Sequence, residues 1–186
     1  MIHAKSMDLR GWDERYRSNP ANECVTPLLS HTVSALIPGR ALDLACGAGR
    51  NALWLAAHGW QVTAADGSSA AIEILKARNP AIDARVADLE NHEFTIGPDS
   101  WELIAILYYL QRDLFEPAKR GVVPGGIVIA IAHIPEPADP QITRFRLAPG
   151  ELAAYFHDFE ILHQYEGPSR DPAHKRWVAE IVARRP

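Results

Sequence analysis

From Pro38 onward, short apolar runs alternate with stretches whose apolar residues recur at helical spacing, and turn-forming residues separate the two. This is the pattern of a parallel sheet covered by helices on both faces, and it predicts an α/β domain. Strands are expected at Ala41–Leu44, Gln61–Ala65, Ala84–Val86, Trp101–Leu107 and Ile127–Ala132, each short, apolar and bounded by turn residues. Alanine, leucine and isoleucine at helical spacing predict helices over Asn51–His58 and Ser69–Arg78, with a weaker one over Leu114–Arg120. Pro38-Gly39, Asn79-Pro80 and Pro124-Gly125-Gly126 punctuate the joins. After a short helix at Glu151–Tyr155, "FEILHQYEG" and "RWVAEIVAR" read as two strands with no long helix between them, expected to pair antiparallel. The stretch "HIPEPADPQITRFRLAPG" contains four prolines and reads as a loop or extended connection over one end of the sheet, where binding residues often collect.

The 186 residues suffice for one domain with a substantial core and are short for two. The expectation is a single domain over 1–186, with an N-terminal helical lid or cap over 1–36 and the sheet core over 38–186. Apolar content of 47% and charged content of 23% are those of an ordinary globular chain. A formal charge of −4 supplies no broad cationic field for a phosphate backbone, so no nucleic-acid partner is expected. Cys24 and Cys46 make neither a disulfide framework nor a structural zinc set, and the histidines lack zinc-motif pairing. No metal is expected. The opening "MIHAKSMDLR" has no long apolar core, and no later run approaches the roughly 20 apolar residues of a membrane span. These features point to the cytoplasm and away from a membrane partner; the oligomeric state is not legible.

The candidate chemistry begins at "ALDLACGAGRN", Ala41 to Asn51, where a strand ends in an acid and a tight glycine turn opens a helix. Such a turn gathers backbone N–H groups and the positive end of a helix at one point, and side chains at Gly47 or Gly49 would fill the space a ligand needs. Two cradles compete for this turn. As G-x-G-x-x-A, Gly47, Gly49 and Ala52 match a dinucleotide fingerprint, with Asp66 at the distance of a ribose-binding acid. That reading gives a nicotinamide or flavin oxidoreductase.

Read with its acid, Asp43-Leu-Ala-Cys-Gly47-Ala-Gly49 resembles the D/E-x-x-x-G-x-G segment of class I S-adenosylmethionine-dependent methyltransferases. A pyrophosphate gains nothing from Asp43, whereas a cationic ligand does. Further along, "QVTAADGS" resembles the second strand of that family with its terminal acid, "VADLEN" its adenine-binding turn, and "VVPGGIVI" the turn and strand after its fourth helix. "GWDERYRS", "GRNALWLAAHGWQVTAAD" and "YYLQRDLF" look like the small bacterial methyltransferases of the tellurite-resistance type and their thiopurine-methyltransferase-like relatives. The resemblance implies a Rossmann-like, doubly wound seven-stranded sheet, mostly parallel with an antiparallel last strand. It implies S-adenosylmethionine as cofactor and a small-molecule methyl acceptor, with a lean toward soft sulfur, selenium or tellurium nucleophiles. The chain departs from the pattern at Ala45, where many members carry glycine, and at Glu102, where the "DLI" segment usually shows aspartate.

By this resemblance the cofactor would meet Asp43, Ala45, Cys46, Gly47, Gly49, Arg50, Asn51, Asp66, Gly67, Asp88 and Leu89. Asp43 would serve its ammonium group, often through water. Asp66 would accept both ribose hydroxyls, because Ser68 and Ser69 are better placed to cap the next helix. Asp88 and Leu89 would meet the adenine, although an acid in a turn also builds the turn. Cys46 reads as a small packing residue, since no base partner is identified for it. Arg50 reads equally as a carboxylate contact or a solvated side chain. At the acceptor end stand Tyr108 and Tyr109, of which one is expected to line the site and the other to pack. Arg112 is a candidate for steering an anionic acceptor and His133 for accepting a proton; each has an ordinary structural reading beside it. Trp12 and Tyr16, four apart, share a helix face that either closes over the ligands or packs the helix. A cofactor-binding protein without catalysis is the remaining alternative.

Overall fold

A computed structural model of the chain describes residues 9–19 and 22–186. The stretch 1–8, where no export or anchor core is expected, and positions 20 and 21 lie outside the described residues. The elements run α1 (Leu9–Ser18), α2 (Pro27–Val33), β1 (Arg40–Leu44), α3 (Arg50–Ala57), β2 (Gln61–Asp66), α4 (Ser69–Arg78), β3 (Asp83–Val86) and β4 (Trp101–Leu107). A 3-10 turn at Arg112–Leu114 leads into α5 (Phe115–Gly121), followed by β5 (Val122–His133), α6 (Glu151–Tyr155), β6 (Glu160–Pro168) and β7 (Trp177–Arg184).

One seven-stranded sheet is formed, in the order β3-β2-β1-β4-β5-β7-β6. β7 runs antiparallel to both β5 and β6, and the other pairings are parallel. The central strands read as continuous apolar runs because both of their faces are covered. Alternation along β1 and β4 sends Ala41 and Leu103 into a layer with Leu55 and Leu75 of the α3–α4 side, and Leu42 and Ile104 into a layer with Phe115 and Phe156. The winding reverses between β1 and β4, which opens a crevice at their carboxyl ends.

One feature differs from expectation. β5 begins at Val122 rather than Ile127, because its register with β4 jumps from Trp101↔Val122 to Leu103↔Ile127. The Pro124-Gly125-Gly126 turn therefore bulges out of a continuing strand, with Gly125 at φ 77°. The proline-rich connection is irregular but anchored: Leu147 is fully buried, and its N–H bonds the His133 carbonyl at 2.9 Å. Among the described residues no helix is long and apolar enough to cross a membrane.

Candidate functional site

The crevice at the ends of β1 and β4 holds a cavity of about 600 Å³. Its floor is the turn after β1, with Ala45 at φ 53°, Gly47 at 54° and Gly49 at 82°. Ala45 thus occupies a left-handed backbone position that favours glycine, so the departure noted in the sequence carries a local backbone cost. The turn is tied to β2: the Cys46 N–H bonds the Ala65 carbonyl at 3.1 Å, and the Gly47 N–H donates to Asp66 Oδ2 at 2.8 Å. The Ser68 N–H donates to the other oxygen of Asp66 at 2.8 Å. Ser68 caps α4 by accepting from the Ala71 N–H at 3.2 Å. Burial pushes the Asp66 carboxyl above the usual range, against these two backbone bonds that lower it.

Of the residues expected to meet a cofactor, Ala45, Cys46, Gly47, Arg50, Asn51, Asp66, Gly67, Asp88 and Leu89 line this cavity. Asp43 and Gly49 do not. Asp43 is 1% exposed and points toward α3, where it accepts from the Ala52 N–H, while its Oδ2 has no hydrogen-bond partner among the described residues. Desolvation pushes its carboxyl up to about 7, so the charge argument from Asp43 for a cationic ligand is weaker than the sequence suggests. A side chain at Gly49 would overlap Leu75 of α4, and one at Gly47 would overlap the Tyr16 hydroxyl. These glycines admit neighbouring parts of the protein, and Gly47 also borders the cavity.

Several polar groups at the cavity are already engaged. Asn51 Oδ1 accepts from the Thr26 N–H at 2.9 Å. Arg50 donates to the Cys24 carbonyl at 3.1 Å, Thr26 Oγ1 at 2.9 Å and Asp171 Oδ2 at 3.0 Å. Asp88 organises its own turn, its Oδ1 accepting from the Glu90 N–H at 3.0 Å and its Oδ2 from the Asn91 amide at 2.8 Å. Burial pushes the Cys46 thiol well above its ordinary value, which disfavours the thiolate.

The acceptor-side candidates divide. Both Tyr108 and Tyr109 line the cavity, where one was expected, because Tyr108 adopts φ 61° and turns the chain as it leaves β4. Burial raises both phenols above their ordinary value. Trp12 and Tyr16 also line it, with ring centroids 6.2 Å apart on α1, and burial pushes the Tyr16 phenol up to about 12. Arg112 stands away from the cavity: its guanidinium pairs with Glu151 at 2.6 Å and donates to the Arg144 and Arg146 carbonyls. His133 is also outside the cavity lining; its Nδ1 is buried without a partner among the described residues, and desolvation lowers its pKa.

Sequence reasoning missed three residues. Asp13 of α1 accepts from Ser68 Oγ at 2.5 Å and the Ala70 N–H at 3.1 Å, which docks α1 on the start of α4. Asp171 and His174 lie in the turn between β6 and β7, and His174 lines the cavity. A signal for the turn existed. β6 must run with β5 if both pair antiparallel with β7, so "SRDPAHKR" emerges at the same end of the sheet as the glycine turn. Desolvation and the neighbouring Arg50 charge push the His174 imidazole down to about 4.

This strand order, with a glycine turn at the switch point between β1 and β4, defines the class I S-adenosylmethionine-dependent methyltransferase fold. The profile of the family described as tellurite resistance protein TehB matches residues 12–171, and the chain belongs to that family. It is 27% identical over 145 residues to a probable S-adenosyl-L-methionine-dependent methyltransferase TehB of Haemophilus influenzae, covering 69% of this chain and 49% of that protein. It is 30% identical over 155 residues to a protein named hemagglutinin 1 of Eikenella corrodens, covering 74% and 49%. The chain thus spans about half the length of these curated relatives. The crystal structure of TehB from Haemophilus influenzae superposes with a TM-score of 0.73 at 22% identity, covering 95% of this chain and 66% of that one. A structure titled for conversion of a disulfide bond into a thioacetal group during echinomycin biosynthesis gives 0.70 at 19% identity, covering 95% and 92%.

Proposed function

We propose that the chain is a methyltransferase that binds S-adenosylmethionine in the cavity above β1 and β4 and transfers its methyl group to a small soft nucleophile. The carrying observation is the cavity itself. Its volume, about 600 Å³, is that of a small-molecule site, and one wall is backbone and acid while the other is aromatic. The residues present fit the cofactor. Each Asp66 oxygen accepts one backbone N–H and retains a lone pair for a ribose hydroxyl. Asp88 and Leu89 border the cavity where an adenine would lie, and Gly47 with Ala45 and Cys46 would hold the amino-acid arm.

When bound, the cofactor would supply an activated methyl group on a sulfonium, whose neutral thioether leaving group needs no protonation. The chain's part is then alignment and exclusion of water, and orientation of this kind is worth up to about 7–11 kcal/mol. Trp12 and Tyr16 cover the cavity from α1, and Tyr108, Tyr109 and His174 bound the side where an acceptor would approach. His133 does not line the cavity, its ring lying 6.1 Å from Tyr108 and 6.3 Å from His174, and the imidazole on the wall, His174, is a weak base with its pKa pushed down to about 4. This supports an acceptor that reacts as an anion it already carries, such as a thiolate or a selenium or tellurium oxyanion, over an alcohol needing deprotonation.

Calorimetry with S-adenosylmethionine, S-adenosylhomocysteine and NAD tests the binding half. Selective binding of the first two is expected, and binding of NAD alone would reverse the reading. Transfer is then assayed over thiols, selenite and tellurite; binding without transfer to any of them would make the chain a non-catalytic cofactor-binding protein.

A further inference from the structure

Tyr108 and His174 form one flat wall of the cavity, with ring centroids 3.4 Å apart and 2° between their planes. Neither ring is placed by its own stretch of chain. Tyr108 holds φ 61°, a left-handed backbone that a bulky residue keeps only where its surroundings fix it. His174 sits in a turn between two strands. Asp171 joins them: its Oδ2 accepts from the Tyr108 hydroxyl at 3.2 Å and from Arg50 Nη2 at 3.0 Å. Its Oδ1 accepts from the Ala173 N–H at 2.9 Å, which shapes the turn carrying His174. The same Arg50 nitrogen lies 3.3 Å from His174 Nε2, so that ring is held from its edge as well as its face. Asp171 does not line the main cavity. It lies behind the wall, 4% exposed, against a smaller cavity of about 270 Å³ that shares Tyr108.

We propose that Asp171 is a positioning residue for the acceptor end of the cavity, holding Tyr108 and His174 as a single plate without touching ligand; this rests on the methyltransferase reading above. A buried carboxylate that accepts from a guanidinium, a phenol and a backbone N–H fixes all three in direction, because each bond is charge-assisted in a low-dielectric setting. In-line transfer is sensitive to displacement of the acceptor, so a loosened plate weakens acceptor binding and alignment. The Gly47–Asp66–Ser68 bonds on the other side of the cavity contain no atom of this cluster and remain intact.

The test uses the full chain carrying Asp171→Asn. Nuclear magnetic resonance reads the His174 ring protons, which the stacked Tyr108 ring displaces upfield. Calorimetry reads S-adenosylhomocysteine affinity, and steady-state kinetics use whichever of thiol, selenite or tellurite the wild type methylates best. Expected are loss of the upfield displacement, cofactor-product affinity within about threefold of wild type, and acceptor KM raised at least about tenfold with a smaller change in kcat. Retention of the displacement overturns the proposal, as does a loss of cofactor-product affinity matching the rise in acceptor KM. The neutral pair Arg50→Gln/Asp171→Asn, read by the ring protons alone, covers the case in which an unpaired Arg50 prevents folding. If the wild type binds neither S-adenosylmethionine nor its product, the methyltransferase reading fails. The ring protons then decide separately whether Asp171 holds the plate.

Discussion

At the Asp66 end of the cavity the binding surface is backbone, two N–H groups of adjacent turns fixed by one carboxylate. At the Tyr108 end it is side chain, two rings held by a buried ion pair between Arg50 and Asp171. The first end is assembled from residues 45–51 and 66–68, consecutive segments of one strand-turn-helix unit and its neighbour. The second brings together residues separated by up to 124 positions. Backbone geometry tolerates most side-chain changes but fails sharply where a left-handed residue is altered. A side-chain wall fails through loss of a partner, and leaves the backbone end standing.

The largest expected effect breaks the backbone end. Gly49→Ala places a side chain at φ 82° against Leu75, combining backbone strain with overpacking. A cost of about 3 kcal/mol is expected, a fall in Tm of about 6–12 °C by calorimetry for a domain of this size. Leu75→Ala in the same chain should recover part of it, and an unchanged Tm would show that the turn relaxes freely. Next, Asp66→Ala removes the carboxylate that orients both turns. It should weaken S-adenosylmethionine binding by about 2 kcal/mol, roughly 30-fold, by calorimetry, and undiminished affinity would remove Asp66 from the ribose.

Asp43 of β1, outside the cavity, and His174 on its wall titrate in opposite senses. Asp43, raised to about 7 in the fold, binds a proton there that the unfolded chain has lost, so its contribution to stability falls as pH rises from about 4 to 7. His174, lowered to about 4, stays neutral where the unfolded imidazole is charged, so its contribution falls as pH drops from about 6.5 to 4. The slopes oppose between about pH 4 and 6.5 and should partly cancel, leaving less than the ~1.4 kcal/mol per pH unit of one unopposed proton. Denaturation curves across this range should therefore steepen in opposite directions for Asp43→Asn and His174→Asn. A wild-type slope unaffected by either variant would contradict these assignments. The smallest effect sharpens the contrast from the stabilising side: Ala45→Gly relieves a left-handed alanine at φ 53° and should raise stability by about 1 kcal/mol in a denaturant titration.

Much of the backbone end was legible in the chain. The apolar run of Ala41–Leu44, the glycines after it and the acid closing the next strand follow one another at spacings that local structure fixes, so the turn, Asp66 and the Ser68 cap could be placed from residue order. The sheet, with its antiparallel last strand, was legible for the same reason. Less legible was what each glycine admits. Gly49 makes room for Leu75 and Gly47 for the Tyr16 hydroxyl, neighbours supplied by α4 and α1. Arg112 and His133 looked like acceptor-site residues because they follow strand ends. The fold instead pairs Arg112 with Glu151 and leaves His133 beneath the proline-rich connection, where its carbonyl holds Leu147.

The sequence by itself determined the succession of strands, turns and helices and the glycine turn after the first strand. Those follow from hydrophobic period, glycine conformational freedom and short-range capping, all of which act within a few residues. Only the tertiary structure decided that Arg50 is neutralised by Asp171, that both tyrosines face the cavity and that His174 rather than His133 stands on its wall. Those outcomes depend on which side chains the closed sheet brings within 3–4 Å of one another, and residue spacing along the chain carries no record of that distance.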